Sequence, residues 1–250
     1  MQRITNPKLG SPFLIADWRY LAMLNYEIEP GTLMPLMLKG TELDTHDGKT
    51  FVSMVGFLFL NTRVMGLAVP FHCDFEEINL RFYVRRKAEN GWRRGVVFVK
   101  EIVPRTAIAL TARWLYNENY VALPTGNVFV RSPANGENIE TVKYYWKFHD
   151  QTHSIELATR GEPSPFVEGS EEEFIVQHHW GYTSQKDGGT IEYQVEHPPW
   201  RIWQAQSGRL SCDVEKLYGQ RFVGALSANP SSVFLAEGSE IAVYKGRRIV

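Results

Sequence analysis

The segment Phe75–Arg85 constrains the fold most, because its polar and apolar residues alternate one by one. A period of two places successive side chains on opposite faces of an extended strand. One face of this predicted strand carries Glu77, Asn79, Arg81 and Tyr83. The other face carries Ile78, Leu80, Phe82 and Val84. The pattern therefore predicts a strand with one face in an apolar core, and its polar face is turned either to solvent or into an internal cavity.

Short turns connect further predicted strands. Asp-Gly at 47–48 and Asn-Gly at 90–91 suit tight hairpin turns. Asp-Gly-Gly at 187–189 predicts another hairpin, which joins Phe174–Thr183 to Thr190–His197. The continuous β-branched run Gly95–Val103 is typical of a strand that is buried on both faces.

Helical signals are few. Pro104–Tyr116 has apolar residues at helical spacing and is the best predicted helix. Arg160–Glu173, with three glutamates in a row and two prolines, is expected to be an exposed loop. Ser232–Leu235 and Glu240–Tyr244 look like two closing strands. Many strands with short turns favour an α+β fold with a mainly antiparallel, curled or closed sheet, in one domain spanning 1–250.

Composition excludes several classes of protein. Lys plus Arg number 27 and Asp plus Glu number 28, so the net charge of −1 gives no basic surface for nucleic acid or anionic membrane. The longest apolar run, Phe51–Leu60, has ten residues, whereas a membrane-spanning helix needs about 20. Two isolated cysteines and a polar start without a signal peptide predict a cytoplasmic protein. The oligomeric state stays open, with a homo-oligomer as one alternative.

The polar face of Phe75–Arg85 is the first candidate site. If it lines a cavity, Arg81 can hold the carboxylate of a ligand, and Glu77 beside it can act as a general acid or base. Asn79 and Tyr83 on the same face would complete the substrate-binding wall. If the face is turned to solvent, these residues are ordinary surface side chains.

Other candidates lie in the following strand and helix. Lys100 and Glu101 are charges inside an apolar run and point to opposite faces, so each is paired, near the surface or functional. A lysine in an apolar pocket can form Schiff bases. Arg105, in the first turn of the predicted helix, is either an anion-binding group or a surface residue. Tyr116 at the end of that helix either walls the pocket or turns the chain.

No motif indicates a cofactor or a metal. His178 and His179 are adjacent, so on a strand they face opposite sides and do not chelate one ion well. The other histidines lack the spacing of a structural zinc site or of HExxH. The sequence contains no P-loop, dinucleotide-binding or nucleophile-elbow motif. We therefore expect neither a metal nor a cofactor.

A family resemblance rests on the Glu77-x-Asn79-x-Arg81-x-Tyr83-Val84 pattern, on Gly95-Val96-Val97-Phe98, on Asp17-Trp18-Arg19 and on His197-Pro198-Pro199-Trp200. These motifs resemble those of the YqjF-like family of bacterial proteins across nearly the whole chain. That family is similar in fold to acetoacetate decarboxylase. The resemblance implies a strongly curved antiparallel sheet around a central cavity.

The resemblance also assigns positions. Glu77 looks like the counterpart of a cavity glutamate of the decarboxylase, and Glu101 looks like that of a second glutamate at a strand end. The decarboxylase forms its Schiff base in a Pro-Lys-Lys element, where this chain reads Pro104-Arg105-Thr106, and it has no Lys-Lys pair anywhere. The resemblance therefore implies a small organic acid or carbonyl ligand without decarboxylation of acetoacetate. Three hypotheses remain: an enzyme, a non-catalytic ligand-binding protein, and a structural protein.

Overall fold

A computed structural model describes residues 10–68, 73–104, 119–133 and 138–250. The strands in these ranges are β1 (Leu14–Ile28), β2 (Glu42–Leu43), β3 (Thr50–Val64), β4 (Leu67–Ala68), β5 (Phe75–Ala88), β6 (Gly91–Val103), β7 (Tyr120–Ala122), β8 (Thr125–Arg131), β9 (Ile139–Phe148), β10 (Gln151–Pro165), β11 (Trp180–Ser184), β12 (Thr190–Glu196), β13 (Arg201–Ser211), β14 (Ser232–Val243) and β15 (Arg247–Arg248). The α-helices there are α1 (Pro30–Leu33), α2 (Glu171–Val176), α3 (Val214–Tyr218) and α4 (Val223–Leu226). Two 3-10 turns, Met34–Leu36 and Gln220–Phe222, complete the regular structure of these ranges.

Seven of the strands close into a barrel. Each strand in the order β12-β11-β6-β5-β3-β1-β14 is hydrogen-bonded to the next, and β12 also pairs with β14. Neighbours in this ring are antiparallel except β6 and β11, which are parallel. The sheet continues from β14 through β13, β10 and β9 to β8. The predicted curled or closed, mainly antiparallel α+β fold is confirmed.

Two apolar cores follow from the alternation along each strand. The inner core lies inside the barrel and includes Met23, Val55, Phe57 and Phe234. The outer core lies between the outer wall of the barrel and the strands β9 and β10, and includes Leu24, Met54, Leu80, Trp146 and Leu157. Residues on one strand divide between the two cores by parity, as a period of two requires.

Gly56 on β3 shows how closely the outer layer packs. A Cβ at Gly56 would lie 2.8 Å from the ring of Tyr144, which comes from β9. The Tyr144 hydroxyl donates to the carbonyl of Tyr20 at 2.8 Å, which fixes the far end of that side chain. The glycine therefore gives the ring the space it needs against the barrel wall.

The predicted elements near Phe75 agree with the structure. Phe75–Arg85 lies in β5, and Gly95–Val103 lies in β6 with buried side chains on both faces. At the 47–48 turn, His46 and Lys49 form an isolated β-bridge, and both central residues have positive φ. At the 90–91 turn, Gly91 follows β5 and has φ 111°. Of the predicted helix Pro104–Tyr116, only Pro104 is among the described residues.

Three predicted elements differ from the structure. The strand Phe174–Thr183 is wrong at its start, because α2 occupies Glu171–Val176 and β11 begins at Trp180. The Ser170 side chain accepts the Glu173 N–H, and three glutamates in the first turn suit the positive end of a helix. Arg160–Glu173 is not a simple loop, since β10 continues to Pro165 and α2 starts at Glu171.

The closing strands are one element. β14 runs unbroken from Ser232 to Val243, and Gly238, with φ 78°, lies in the gap between the two predicted strands. A Cβ at Gly238 would lie 2.0 Å from the carbonyl oxygen of Trp18 on β1, so glycine is required there. Within the described ranges, no helix has the length and apolar character needed to cross a membrane.

Candidate functional site

The polar face of β5 lies inside the barrel. Glu77 is 3% exposed, Asn79 is 1% exposed and Tyr83 is 1% exposed, and Arg81 between them is partly buried. Opposite them on β3 are Phe57, Val55 and Ser53, and the inner core surrounds both strands. The alternative in which this face is turned to solvent does not hold.

Two carboxylates share this inner face. Glu77 accepts hydrogen bonds from Asn79 Nδ2 at 3.0 Å and from the Tyr120 hydroxyl at 3.3 Å. Glu101 is paired with Asn79 across the β5–β6 ladder and is 1% exposed. The amide of Asn79 therefore lies beside both acids, within a barrel that largely excludes water.

A bulge in β6 separates Lys100 from this group. Leu80 pairs with Lys100 and Arg81 pairs with Phe98, so Val99 is the extra residue. Lys100 points to the outer core, where its Nζ donates to the carbonyl of Leu217 at the end of α3. Burial lowers the pKa of Lys100. The structure confirms that Lys100 and Glu101 face opposite sides, and it does not bring Lys100 to the inner face.

Tyr83 belongs to a buried hydrogen-bond chain. Its hydroxyl lies 2.6 Å from Ser53 Oγ, which donates to Asn25 Oδ1 at 2.6 Å. Asn25 Nδ2 then donates to Ser232 Oγ at 2.9 Å. This chain crosses β5, β3, β1 and β14 and fixes the tyrosine in the barrel wall.

His178 contacts the other side of Tyr83, with ring centroids 4.7 Å apart. Its Nε2 lies 3.1 Å from Asp44 Oδ2, which also accepts from Arg94 Nε at 2.6 Å. The pKa of His178 is lowered to about 4, chiefly by burial and also by the nearby cations Arg94 and Arg81, against the opposing effect of Asp44. His178 is therefore neutral at pH 7 and donates its Nε2–H to the carboxylate.

His197 is a second neutral imidazole. Its ring stacks on Trp200 at 4.1 Å and lies 4.4 Å from the ring of His179. The pKa of His197 is lowered to about 4, chiefly by burial and also by His179 and Arg81. Nδ1 lies 2.9 Å from the carbonyl of Pro198 and must donate to it. In the neutral ring the hydrogen is therefore on Nδ1 and the lone pair is on Nε2.

Several buried polar atoms of this region have no hydrogen-bond partner among the described residues. They are Trp18 Nε1, Asn79 Oδ1, Arg81 Nε and His178 Nδ1. Buried polar groups in proteins are nearly always satisfied by protein, by ordered water or by a ligand. Two donors and two acceptors of this region therefore have no hydrogen-bond partner among the described residues.

Two predicted site residues, Arg105 and Tyr116, lie outside the described residues. Among the residues that are described, no three histidine, cysteine, aspartate or glutamate side chains are grouped as metal ligands. The inner face thus brings together Glu77, Asn79, Arg81, Tyr83 and Glu101.

Sequence reasoning missed the positions of His178 beside Tyr83 and of His197 against Trp200. Their adjacent or turn positions carry no spacing signal, because each reaches the site through tertiary packing. Trp200 after the Pro198-Pro199 pair is the one local hint, since a buried aromatic ring offers a surface for the imidazole of His197. His178 and His179 lie between α2 and β11 and not on a strand, and one contacts Tyr83 whereas the other contacts His197.

Comparisons with known proteins agree with this architecture. The family model DUF2071, described as an uncharacterized conserved protein, matches residues 15–240. The uncharacterized protein YqjF of Bacillus subtilis (strain 168) is 25% identical over 193 residues, which cover 76% of this chain and 75% of YqjF.

Solved structures show the same fold. The enduracididine biosynthesis enzyme MppR in complex with pyruvate superposes with a TM-score of 0.67 at 13% identity, covering 95% of this chain and 91% of MppR. Acetoacetate decarboxylase from Legionella pneumophila subsp. pneumophila str. Philadelphia 1 gives a TM-score of 0.65 at 13% identity, covering 100% and 92%. An acetoacetate decarboxylase-like enzyme from Sphingomonas wittichii RW1 gives 0.66 at 13% identity, covering 100% and 98%.

Proposed function

The chain belongs to the DUF2071 family, and from that premise we propose that its barrel interior binds a small organic acid or carbonyl compound. The observation that carries this proposal is the set of buried, unsatisfied polar atoms around Arg81. The carboxylate and carbonyl oxygens of such a ligand can accept hydrogen bonds from Arg81 Nε and Trp18 Nε1, and water bound with it can donate to Asn79 Oδ1 and His178 Nδ1. The solved complex of MppR with pyruvate supports this ligand size for the fold.

Each inner-face residue has a proposed role that follows from the chemistry of its side chain. Arg81 presents a planar guanidinium that matches a carboxylate in a two-bond contact. Glu77, hydrogen-bonded to Asn79 and Tyr120, is the general acid or base next to the bound ligand. His197, with its lone pair on Nε2, is a second proton acceptor in the electrostatic range of Arg81.

Schiff-base chemistry is not part of this proposal. Lys100 is half-buried and faces the outer core, and no lysine is among the buried residues of the described ranges. The remaining alternatives are proton transfer on the bound acid and binding without turnover. A screen of small 2- and 3-oxo acids and aldehydes by NMR, for binding and for product, separates these two.

Arg81→Lys is expected to weaken binding of pyruvate, or of any stronger ligand from the screen, by about thirtyfold. The substitution keeps the charge and loses the guanidinium fork, and a charge-assisted hydrogen bond contributes about 2 kcal/mol. Isothermal titration calorimetry measures the affinity, and the melting temperature reports whether the variant is folded.

The matched control is Arg85→Lys. Arg85 lies on the same face of β5, four residues further along, but its Nε is bonded to Glu42 at 2.7 Å near the rim. This variant should bind the ligand like the parent protein. Equal affinities of the parent and a well-folded Arg81→Lys variant would remove Arg81 from the site.

Borohydride treatment in the presence of pyruvate is expected to leave the mass of the protein unchanged. Reduction traps only an imine, and an imine needs an uncharged lysine that reaches the ligand. Intact-protein mass spectrometry measures the outcome. A covalent adduct that maps to Lys100 by peptide analysis would contradict the placement of this lysine outside the site.

A further inference from the structure

Glu192 on β12 is buried beneath three arginines on the outer side of the barrel wall. Its side chain is fully buried. Arg86 donates to it from Nε at 2.6 Å and from Nη2 at 3.2 Å, Arg247 donates from Nε at 3.2 Å, and Arg93 donates from Nη1. The Tyr182 hydroxyl also donates to it at 3.3 Å. Four side chains therefore converge on one carboxylate.

The charges of this arginine cluster do not balance. Arg86, Arg93 and Arg247 carry three positive charges, and Glu192 carries one negative charge, so the cluster has a net charge of +2. The nearby acid Asp187 is taken by Arg248, whose Nη1 lies 2.7 Å from it. A local excess of this size within a chain of net charge −1 attracts anions.

The arginines are held in place and still reach solvent. Arg86 grips Glu192 through two nitrogens, and the guanidinium of Arg93 lies 4.3 Å from the ring centroid of Trp180. The side chains of Arg86, Arg93 and Arg247 are 17%, 21% and 61% exposed. A guanidinium has five N–H donors, and Glu192 uses only one or two from each. Ordered cations with spare donors at the surface lower the entropy cost of binding an anion.

We propose that the arginine cluster around Glu192 is a binding site for a phosphate group. A phosphate monoester or inorganic phosphate carries close to two negative charges at pH 7, which matches the excess of +2. Its three or more terminal oxygens match three separate guanidinium groups, whereas a carboxylate has two oxygens and a single charge. The site is separate from the barrel interior, because Arg86 has the opposite parity to Arg81 on β5.

Inorganic phosphate is the first probe. We expect it to raise the melting temperature of the full chain in a saturable way, beyond sodium chloride at the same ionic strength. Arg247→Gln should weaken phosphate binding at least about tenfold, because it removes one of the three cations. Arg248→Gln is the matched control: it is the neighbouring residue and is already paired with Asp187, and it should change the affinity less than about twofold.

Glycerol phosphate and a phosphoserine peptide then test whether the phosphate group belongs to a small metabolite or to a modified protein. Binding of either that is tighter than binding of inorganic phosphate supports the site. Stabilisation no greater than with chloride, or equal loss in both arginine variants, overturns the proposal. If Arg247→Gln does not fold, Arg93→Lys gives the same test, because it keeps the charge and loses the planar donors.

Discussion

Replacing Glu192 with glutamine is expected to lower the free energy of unfolding by about 3 kcal/mol. The substitution keeps the size of the side chain but leaves Arg86, Arg93 and Arg247 without a counter-charge. Removing one partner of a buried ion pair typically costs about 3–5 kcal/mol, and the partial exposure of the arginines favours the lower end. Urea denaturation at pH 7 measures the loss.

Glu237→Gln is the control for this loss. Glu237 pairs with Arg201 through two hydrogen bonds of 3.0 and 2.9 Å, but both side chains are substantially exposed. Exposed ion pairs contribute about 0–1 kcal/mol, so this variant should remain close to the parent protein. Equal losses in the two variants would show that the burial of Glu192 has no special energetic role.

The second large effect is a loss of stability as the pH falls from about 6.5 to about 4. His178 and His197 have pKa values lowered from 6.5 to about 4 by burial, so the unfolded chain binds protons on these residues before the folded chain does. Their full contribution is present above pH 6.5 and is lost on acidification towards pH 4. Each histidine accounts for about 3 kcal/mol, because a tenfold change in proton affinity corresponds to about 1.4 kcal/mol.

His197→Gln tests this dependence. The glutamine keeps a hydrogen-bonding side chain and cannot take up a proton, so the free energy of unfolding should fall less steeply between pH 6.5 and pH 4. Chemical denaturation at several pH values gives the slope, and the same variant at pH 8 reports any loss of packing on Trp200. A slope identical to that of the parent protein would show that His197 is not the titrating group.

Much of the barrel could be predicted from local patterns. The alternation in β5 and the apolar run in β6 fix which residues face each core, because one face of each strand must be buried. The errors occur where short-range chemistry competes with apolar content. Phe174–Val176 looks like a strand by composition, but Ser170 and the glutamates after it start a helix. The gap between the two predicted closing strands holds Gly238, and β1 passes so close there that only glycine can continue the strand.

The site was only partly predictable. Glu77, Asn79, Arg81 and Tyr83 could be grouped because they lie on one strand. Their neighbour Glu101 was a candidate as a charge inside an apolar run and through a family resemblance. His178, His197 and Glu192 reach their partners over long sequence distances; His178, for example, meets Asp44 from 134 residues away. No local pattern records such contacts, since they depend on how the sheet closes.

The closure of the barrel has a consequence for its motions. Among the described residues, only two ladder pairs on each side join the β11–β12 hairpin to the rest of the wall. On the β6 side, Trp180 pairs with Gly95 and Gly181 pairs with Val96. On the β14 side, Val195 pairs with Val243 and Glu196 pairs with Ala242. The longer ladders elsewhere must break many more bonds to open. The hairpin is therefore the section of the wall with the fewest ladder pairs to its neighbours, and the ion pairs of Glu192 with Arg86 and Arg93 join it to β5 and β6. Acid and salt weaken ion pairs, so we expect the hairpin to separate from the wall more often at low pH and at high ionic strength.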